Sequence, residues 1–227
     1  MAILSGNVIG NMKGKLGNLS ARTVDGRTIM AARPSSFNAS QDPASLEVRA
    51  KFAVTANFSK NVLSLATLEE IWTKVKASGM SVFNTVFKKN FAYSSTERPT
   101  EQNFLTPEGF PLAITTAAVD TDKITGTLPA LNTASVFGVD EVNLSANALV
   151  CFYDPISETD DPFKIISLSK EVSNFNFTQT YSLQMDFNVL QEAVAGKYRH
   201  SILYVCVATK TAEGKIVQNS ATFTKLI

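Results

Sequence analysis

The residue types that carry most enzyme chemistry are scarce in this sequence. Among its 227 residues the chain has one histidine, His200, and two cysteines, Cys151 and Cys206. A two-histidine metal site cannot be built within one chain, and a serine–histidine–aspartate triad would depend on His200 alone. We therefore predict that His200 is a surface residue, that the protein uses no cofactor or metal, and that it is not an enzyme.

The two cysteines lie in apolar segments that we predict to be central strands, 55 residues apart. This spacing is similar to the pair that joins the two sheets of an immunoglobulin domain. The tryptophan expected after the first cysteine is missing, however, because Trp72 precedes both. The sequence opens without the basic and apolar pattern of a secretion signal, so we expect synthesis in a reducing cytoplasm. Two buried free thiols are the favoured interpretation.

Two short segments could bind charged ligands, and both depart from the required pattern. Residues 10–17 combine glycines with Lys13 and Lys15, as a phosphate loop does, but Ile9 and Leu16 occupy the positions of an essential glycine and a Ser/Thr. Residues 157–161 contain three carboxylates, yet they lack the alternating ligands and central glycine of a calcium loop. A solvated turn is the prediction for this second segment.

The first 34 residues are rich in glycine and basic residues. Residues 17–23 and 27–32 flank an Asp25-Gly26 pair, which is a strong β-hairpin signal because the tight turn needs positive φ. The preceding glycines disfavour a helix, so we predict an extended or looped arm with a hairpin.

The arm carries its charge without aromatic residues between the basic ones. It could touch a nucleic-acid backbone, but it offers no stacking platform, so nucleic-acid contact is not expected. An acidic neighbouring subunit fits the same residues. The candidate subunit-contact residues are Gly10, Lys13, Gly14, Lys15, Gly17, Arg22, Arg27 and Arg33.

Hydrophobic periodicity predicts helices first and strands afterwards. Asp42-Pro43 is typical of a helix start, and three short amphipathic helices are predicted up to residue 91, the second opening with a capping box at Thr67. Strands are predicted over residues 148–153, 163–168, 175–187 (one half-buried strand or a bent pair), 202–208 and 216–226. Residues 93–109 form either a domain boundary or a crossing loop.

These patterns predict an α+β, β-rich protein. It would have an arm, hairpin and helical segment over residues 1–95 and an immunoglobulin-like β-sandwich over residues 96–227.

Net charge is close to zero overall but differs between these two parts. The chain carries +1, while residues 1–95 hold 12 basic and 5 acidic residues and residues 96–227 hold 9 and 15. A chain with this polarity could associate head to tail with its own copies. A chance imbalance between two solvated surfaces fits the same counts.

Several blocks of the sequence form one pattern along the chain. It begins with Gly6, Gly10, Gly14-Lys15-Leu16-Gly17-Asn18, Arg22, Gly26, Arg27 and Arg33-Pro34, continues through Asp42-Pro43, residues 49–52 and residues 80–84, and ends with residues 148–155 and 216–220. This pattern resembles an uncharacterised family found in Bacteroidetes bacteria and in their phages, including crAss-like bacteriophages. Together these blocks cover roughly residues 5–225.

The resemblance implies a virion component without catalytic residues, in which the N-terminal glycines pack against a partner. We expect a structural protein of a tailed bacteriophage, made in the bacterial cytoplasm and forming an oligomeric ring or hub in the neck or tail. Its partners would be its own copies and neighbouring virion proteins, with no membrane contact. The alternative is a non-enzymatic module that binds a host or carbohydrate ligand through loops such as 154–162 or 209–215.

Overall fold

The computed structural model describes residues 2–4, 12–24, 26–33, 36 and 38–227. The described residues form an α+β fold with four α-helices and three antiparallel sheets. No helix in this part of the chain is long and apolar enough to cross a membrane.

The helices are α1 Pro43–Leu63, α2 Ala66–Val75, α3 Val82–Asn90 and α4 Val189–Ala195. The first four strands are β1 Ala2–Leu4, β2 Gly14–Leu16, β3 Leu19–Val24 and β4 Arg27–Ala32. The remaining strands are β5 Thr115–Val119, β6 Lys123–Leu128, β7 Asn143–Pro155, β8 Phe163–Val172, β9 Tyr181–Asp186, β10 Tyr198–Lys210, β11 Ile216–Asn219 and β12 Phe223–Leu226.

The three predicted N-terminal helices are present, with one error at a helix start. Asp42 is the N-cap of α1 and Pro43 lies in its first turn, where the missing N–H costs nothing. The capping box predicted at Thr67 is wrong, because α2 already begins at Ala66. The Thr67 hydroxyl instead forms a 3.1 Å hydrogen bond with the hydroxyl of Ser145, which lies in strand β7 of the sheet.

Helix α4 interrupts the region for which we predicted only strands. The Asn188 side chain accepts hydrogen bonds from the backbone N–H groups of Leu190 and Gln191, and the Gln191 side chain accepts one from the Asn188 N–H. This reciprocal arrangement is a capping box. The Asn-x-x-Gln spacing was the available signal.

Two sheets pack face to face in the second half of the chain. The larger has the order β11–β10–β7–β8, with β12 also paired to β10, and the smaller has the order β5–β6–β9. Strands β7 and β10 pair from Asn143 opposite Lys210 to Pro155 opposite Tyr198. They include the predicted strands at residues 148–153 and 202–208.

Two other strand predictions were only partly right. The alternating segment 175–187 contains strand β9 over Tyr181–Asp186, but Phe175 and Phe177 lie in the turn before it. The closing segment 216–226 is divided into β11 and β12 by residues 220–222.

The larger sheet is covered on both faces. Ala148 and Val150 of β7 face the smaller sheet, whereas Leu149 and Cys151 face the helices, where they pack with Trp72. A half-exposed strand alternates polar and apolar residues, whereas a strand buried on both faces is apolar throughout. This burial explains the continuous apolar runs at residues 148–153 and 202–208.

The helices and the larger sheet share one hydrophobic cluster. Phe58 and Trp72 of the helices pack in it with Leu149 and Tyr204 of the strands. The Trp72 indole N–H also donates a 2.7 Å hydrogen bond to the Leu105 carbonyl, so residues 93–109 cross between the layers. We call residues 43–227, which include this shared cluster, the body, and the domain division at residue 95 stays a prediction.

The first four strands form a separate sheet with the order β1–β4–β3–β2, here called the arm sheet. Strands β3 and β4 are antiparallel neighbours, with Val24 opposite Arg27. Neither hydrophobic cluster of the body contains a described residue of the arm sheet.

Candidate functional site

The predicted subunit-contact residues are concentrated on the arm sheet. Gly10 lies outside the described residues. The other seven are all exposed and lie in or next to strands β2, β3 and β4: Lys13, Gly14, Lys15, Gly17, Arg22, Arg27 and Arg33.

Strand register places three of the basic residues on one face of the arm sheet. Lys15 is opposite Ser20, and Arg27 is opposite Val24. Directly opposed residues share a face, as do residues two apart along a strand, so Arg22 lies on that face too. We call Lys15, Arg22 and Arg27 the basic face.

The opposite face of the arm sheet is mainly apolar. Leu16 is opposite Leu19, and Ala21 is opposite Met30, while Thr23 and Thr28 are opposed on the same face. Leu19, Ala21 and Met30 are half-buried, whereas the Leu16 side chain is 57% exposed. No described residue of this mainly apolar face belongs to a hydrophobic cluster of the body.

Turn geometry accounts for two of the arm glycines. Gly17 and Gly26 follow β2 and β3 with φ values of 55° and 74°, in the left-handed region that glycine adopts without strain. A Cβ atom at Gly14 or Gly17 would meet nothing within 4 Å. Among the described residues, then, no close approach within the chain requires glycine at these positions.

The phosphate-loop resemblance of residues 10–17 has no structural counterpart in the described residues. Lys15 lies within strand β2, and the next element is strand β3. The first helix of the described chain begins at Pro43, so Lys15 is not followed by the helix N-terminus that would face a phosphate.

The basic residues of the arm form no ion pairs with described residues. No described carboxylate pairs with Lys13, Lys15, Arg22, Arg27 or Arg33. In the body some lysines are paired, as Lys197 is with Asp160 at 2.8 Å, whereas others, such as Lys88, are not. Within the described part of the chain, the arm therefore presents five cations without a carboxylate partner.

An acidic cleft of about 690 Å³ opens at one end of the body. Its charged lining residues are Glu97, Arg98, Asp154, Glu158 and Asp160. The Arg98 guanidinium stacks over the Tyr153 ring at 3.9 Å. Within the described residues, Glu97 and Glu158 have no ion-pair partner, so the cleft keeps a net negative charge.

The acidic loop beside this cleft is tied to lysines. Asp160 pairs with Lys197, and Asp161 lies 2.5 Å from Lys164. The hydrogen bond and positive charge of Lys164 lower the pKa of the Asp161 carboxyl. This geometry fits the predicted solvated turn better than a calcium loop.

The cysteines are free and buried, as the favoured interpretation predicted. They lie on the paired strands β7 and β10 of one sheet, not on two facing sheets as in an immunoglobulin disulfide. Burial raises the pKa of Cys151 to about 12, with the Arg98 charge acting weakly in the other direction. Burial also raises the pKa of Cys206. Both thiols therefore stay protonated and poorly nucleophilic.

His200 is a surface residue, as predicted. Its side chain is 54% exposed, and its Nε2 lies 3.6 Å from the Asp154 carboxylate. The ring packs against Tyr153 with centroids 5.6 Å apart. No serine hydroxyl among the described residues forms a hydrogen bond with it, so a nucleophile–base pair is not assembled there.

A second opening, of about 560 Å³, lies at the end of the body formed by the β6–β7 and β8–β9 loops. Phe137 and Phe177 stack within it at a centroid distance of 4.4 Å. Its rim carries Asn132, Asn174 and Asn176 and no charged residue. We call this the aromatic–amide pocket.

Sequence reasoning missed the aromatic–amide pocket. It named the loops 154–162 and 209–215, whereas the pocket is built by residues 132–138 and 174–178. The concentration of asparagine and phenylalanine in residues 174–178 was a signal, but the alternation there predicted a strand.

No protein-family model and no curated protein matches the chain. Among solved structures it is similar to a selenomethionine-labelled β-glucosidase from Kluyveromyces marxianus, with 14% identity and a TM-score of 0.22. A structure of β-glucosidase from the same organism in complex with glucose gives 16% identity and a TM-score of 0.20. Each match covers 63% of this chain but only 17% of the enzyme. Likeness this low carries no argument about fold or activity.

Proposed function

We propose that this chain is a non-enzymatic structural subunit of a tailed-bacteriophage virion that assembles with its own copies through the arm sheet. One observation carries the assembly proposal. The arm sheet has a mainly apolar face that joins neither hydrophobic cluster of the body and, on its other side, basic residues that lack ion-pair partners among the described residues.

An amphipathic sheet of this kind is stabilised by a partner. Water is a poor environment for exposed leucine and methionine surface, and burying it releases about 25 cal/mol per Å². Short sheets with one uncovered face are marginal alone. A neighbouring subunit would cover the apolar face, and its carboxylates would neutralise the basic one.

The acidic cleft is the proposed acceptor for the basic face. Glu97 and Glu158 line it without partners among the described residues, and the basic face supplies Lys15, Arg22 and Arg27. Because the two surfaces lie on different parts of one chain, each subunit could donate its arm to the next. Such head-to-tail contacts close into rings when the rotation permits. This arrangement, together with the resemblance over residues 5–225, supports our proposal of a ring or hub subunit in the neck or tail.

We also propose that strands β5–β12 form an immunoglobulin-like sandwich. The order β5–β6–β9 corresponds to strands A–B–E, and the order of β11 and β12, then β10, β7 and β8 corresponds to G–F–C–C′. Under this assignment the arm sheet and helices α1 to α3 are additions before strand A, and α4 connects strands E and F.

Size-exclusion chromatography with light scattering tests the assembly proposal. We expect the full chain to form a defined oligomer that dissociates at high salt, because screening shortens the Debye length to about 3 Å at 1 M. The variant Arg22→Glu/Arg27→Glu should be monomeric. The variant Lys88→Glu/Lys89→Glu changes the net charge equally on exposed residues of α3 and should remain oligomeric.

Two further results bear on the proposal. Adding Glu158→Arg to the Arg22→Glu/Arg27→Glu chain should restore assembly, if the acidic cleft is the acceptor.

Mass spectrometry of purified phage particles should detect the protein, and its absence from particles would refute the virion assignment. A wild-type chain that stays monomeric at low salt would refute assembly through the arm.

A further inference from the structure

We infer that the aromatic–amide pocket is a binding site for a neutral saccharide, a function independent of the assembly proposed above. The inference follows from the chemistry of its floor, the neutrality of its rim and the way both loops are held.

The floor of the pocket is a group of phenylalanine rings. Phe137 and Phe177 stack with an interplanar angle of 23°, and Phe110 and Phe175 pack edge-on against them at centroid distances of 5.5 and 5.0 Å. Phe137 and Phe177 are only half-buried, so they contribute apolar surface to the opening. An aromatic surface of this kind suits the C–H face of a pyranose ring.

The rim is polar, uncharged and partly unpaired. Within the described residues, the Asn132 and Asn174 side chains make no hydrogen bond. Asn176 uses only its Oδ1, which accepts from the Thr178 N–H and hydroxyl. Each free amide offers two donors or an acceptor, the complement of a vicinal pair of hydroxyls. Charged ligands have no counter-ion in the lining, so a neutral polyhydroxylated ligand fits better than a nucleotide or an acidic peptide.

The loop on the β6–β7 side is fixed from beneath. The buried Glu141 carboxylate accepts hydrogen bonds from the Gly138 N–H, the Thr209 hydroxyl and the Gln218 amide. Gln218 in turn donates to the Val136 carbonyl and accepts from the Ser135 hydroxyl.

The loop on the β8–β9 side is tied to its neighbours by backbone hydrogen bonds. The Phe175 N–H donates to the Val142 carbonyl at 2.8 Å, and the Asn132 N–H donates to the Phe177 carbonyl at 3.0 Å. Both sides of the pocket are thus held before any ligand arrives. Preorganisation of this kind reduces the entropy lost on binding. The volume of about 560 Å³ lies within the range of small-ligand sites and accommodates a short saccharide.

Titration of the full chain with neutral disaccharides tests this inference. We would follow amide chemical shifts by NMR with cellobiose, maltose and lactose as probes, with adenosine as a comparison ligand. A neutral oligosaccharide array would extend the panel. The expected result is saturable binding of at least one saccharide, with shifts concentrated in residues 132–138 and 174–178 and none from adenosine.

Two variants assign the binding to the pocket. Asn132→Ala removes an exposed amide that supports nothing in the fold, and should weaken binding about tenfold. Phe137→Leu keeps apolar volume but removes the ring, and should abolish detectable binding. Asn84→Ala, an exposed asparagine on α3, should bind as the wild type does. Thermal melting of each variant verifies that it is folded.

The inference is overturned if no saccharide on the array or in solution binds. It is equally overturned if saccharides bind but Asn132→Ala and Phe137→Leu, both folded, bind with wild-type affinity. Binding of adenosine in preference to every saccharide would identify a nucleoside site instead. Loss of oligomerisation in the arm variants leaves these outcomes unaffected, so the two proposals fail separately.

Discussion

Strands β7 and β10 and the arm sheet are both antiparallel, but they obtain their stability in different ways. The two body strands are buried on both faces, and their hydrogen-bonded ladder runs over Asn143–Pro155 and Tyr198–Lys210. The arm strands are at most six residues long, and none of their described residues belongs to a hydrophobic cluster of the body. The difference indicates that packing between layers stabilises the body, whereas the arm sheet relies on its turns and on hydrogen bonds between its strands.

The first prediction compares one leucine from each region. Leu149→Ala in β7 removes a fully buried side chain from between the helices and the sheet, and should lower the free energy of unfolding by about 2–5 kcal/mol. Leu16→Ala in β2 removes a side chain that is 57% exposed, and should change the free energy of unfolding by less than about 0.5 kcal/mol. Urea unfolding followed by circular dichroism measures both. Equal losses in the two variants would contradict the comparison.

The second prediction compares two glycines. A Cβ at Gly109 would collide with the backbone of Asn219 and Ser220, so Gly109→Ala should cost about 1–3 kcal/mol of body stability. Gly17 has open space but a φ of 55°, so Gly17→Ala adds only the strain of left-handed backbone, about 1 kcal/mol. Thermal melting should show a lowered transition for the first variant. For Gly17→Ala, hydrogen exchange should show loss of amide protection only in β2 and β3. Loss of protection throughout the body would contradict this prediction.

The contrast between the regions also explains which features could be predicted from sequence. Short-range signals were reliable: Asp42-Pro43 marks the start of α1, and the apolar runs at residues 148–153 and 202–208 lie in strands. Errors arose where tertiary contacts override a local pattern. Thr67 fits a capping box but binds Ser145 across the layers, and Phe177 fits a strand but stacks on Phe137 from a turn.

The candidate sites show the same limit. Charge and glycine content led to the arm residues as candidates, because the excess of basic residues before residue 34 is visible in the sequence itself. The separation of Lys15, Arg22 and Arg27 from the apolar face required strand register. The aromatic–amide pocket joins residues about 40 positions apart, and no local pattern brings Asn132 to Phe177.

The last prediction concerns pH and returns to the buried strands. The pKa of Cys151 is about 12 in the folded protein, whereas the pKa of a cysteine in an unfolded chain is about 8.5. Below the lower value both states hold the proton, so this thiol adds no pH dependence to stability. Above it the unfolded chain loses the proton and the folded chain keeps it, so the free energy of unfolding falls by up to about 1.4 kcal/mol per pH unit until about pH 12.

Cys151→Ala isolates that contribution. Groups whose pKa values do not depend on Cys151 contribute equally to both proteins, and Cys151 acts in addition only to raise the pKa values of Tyr198 and Tyr204 in the folded protein. The wild type should therefore lose stability more steeply than the variant between about pH 9 and pH 11. Urea midpoints measured across this range supply the slopes. As a control from the other region, Ser20→Cys places a half-exposed thiol on the arm sheet, where it should react rapidly with a thiol reagent at pH 8. Parallel slopes for wild type and Cys151→Ala would mean that the interior around β7 admits water and charge as readily as the arm does.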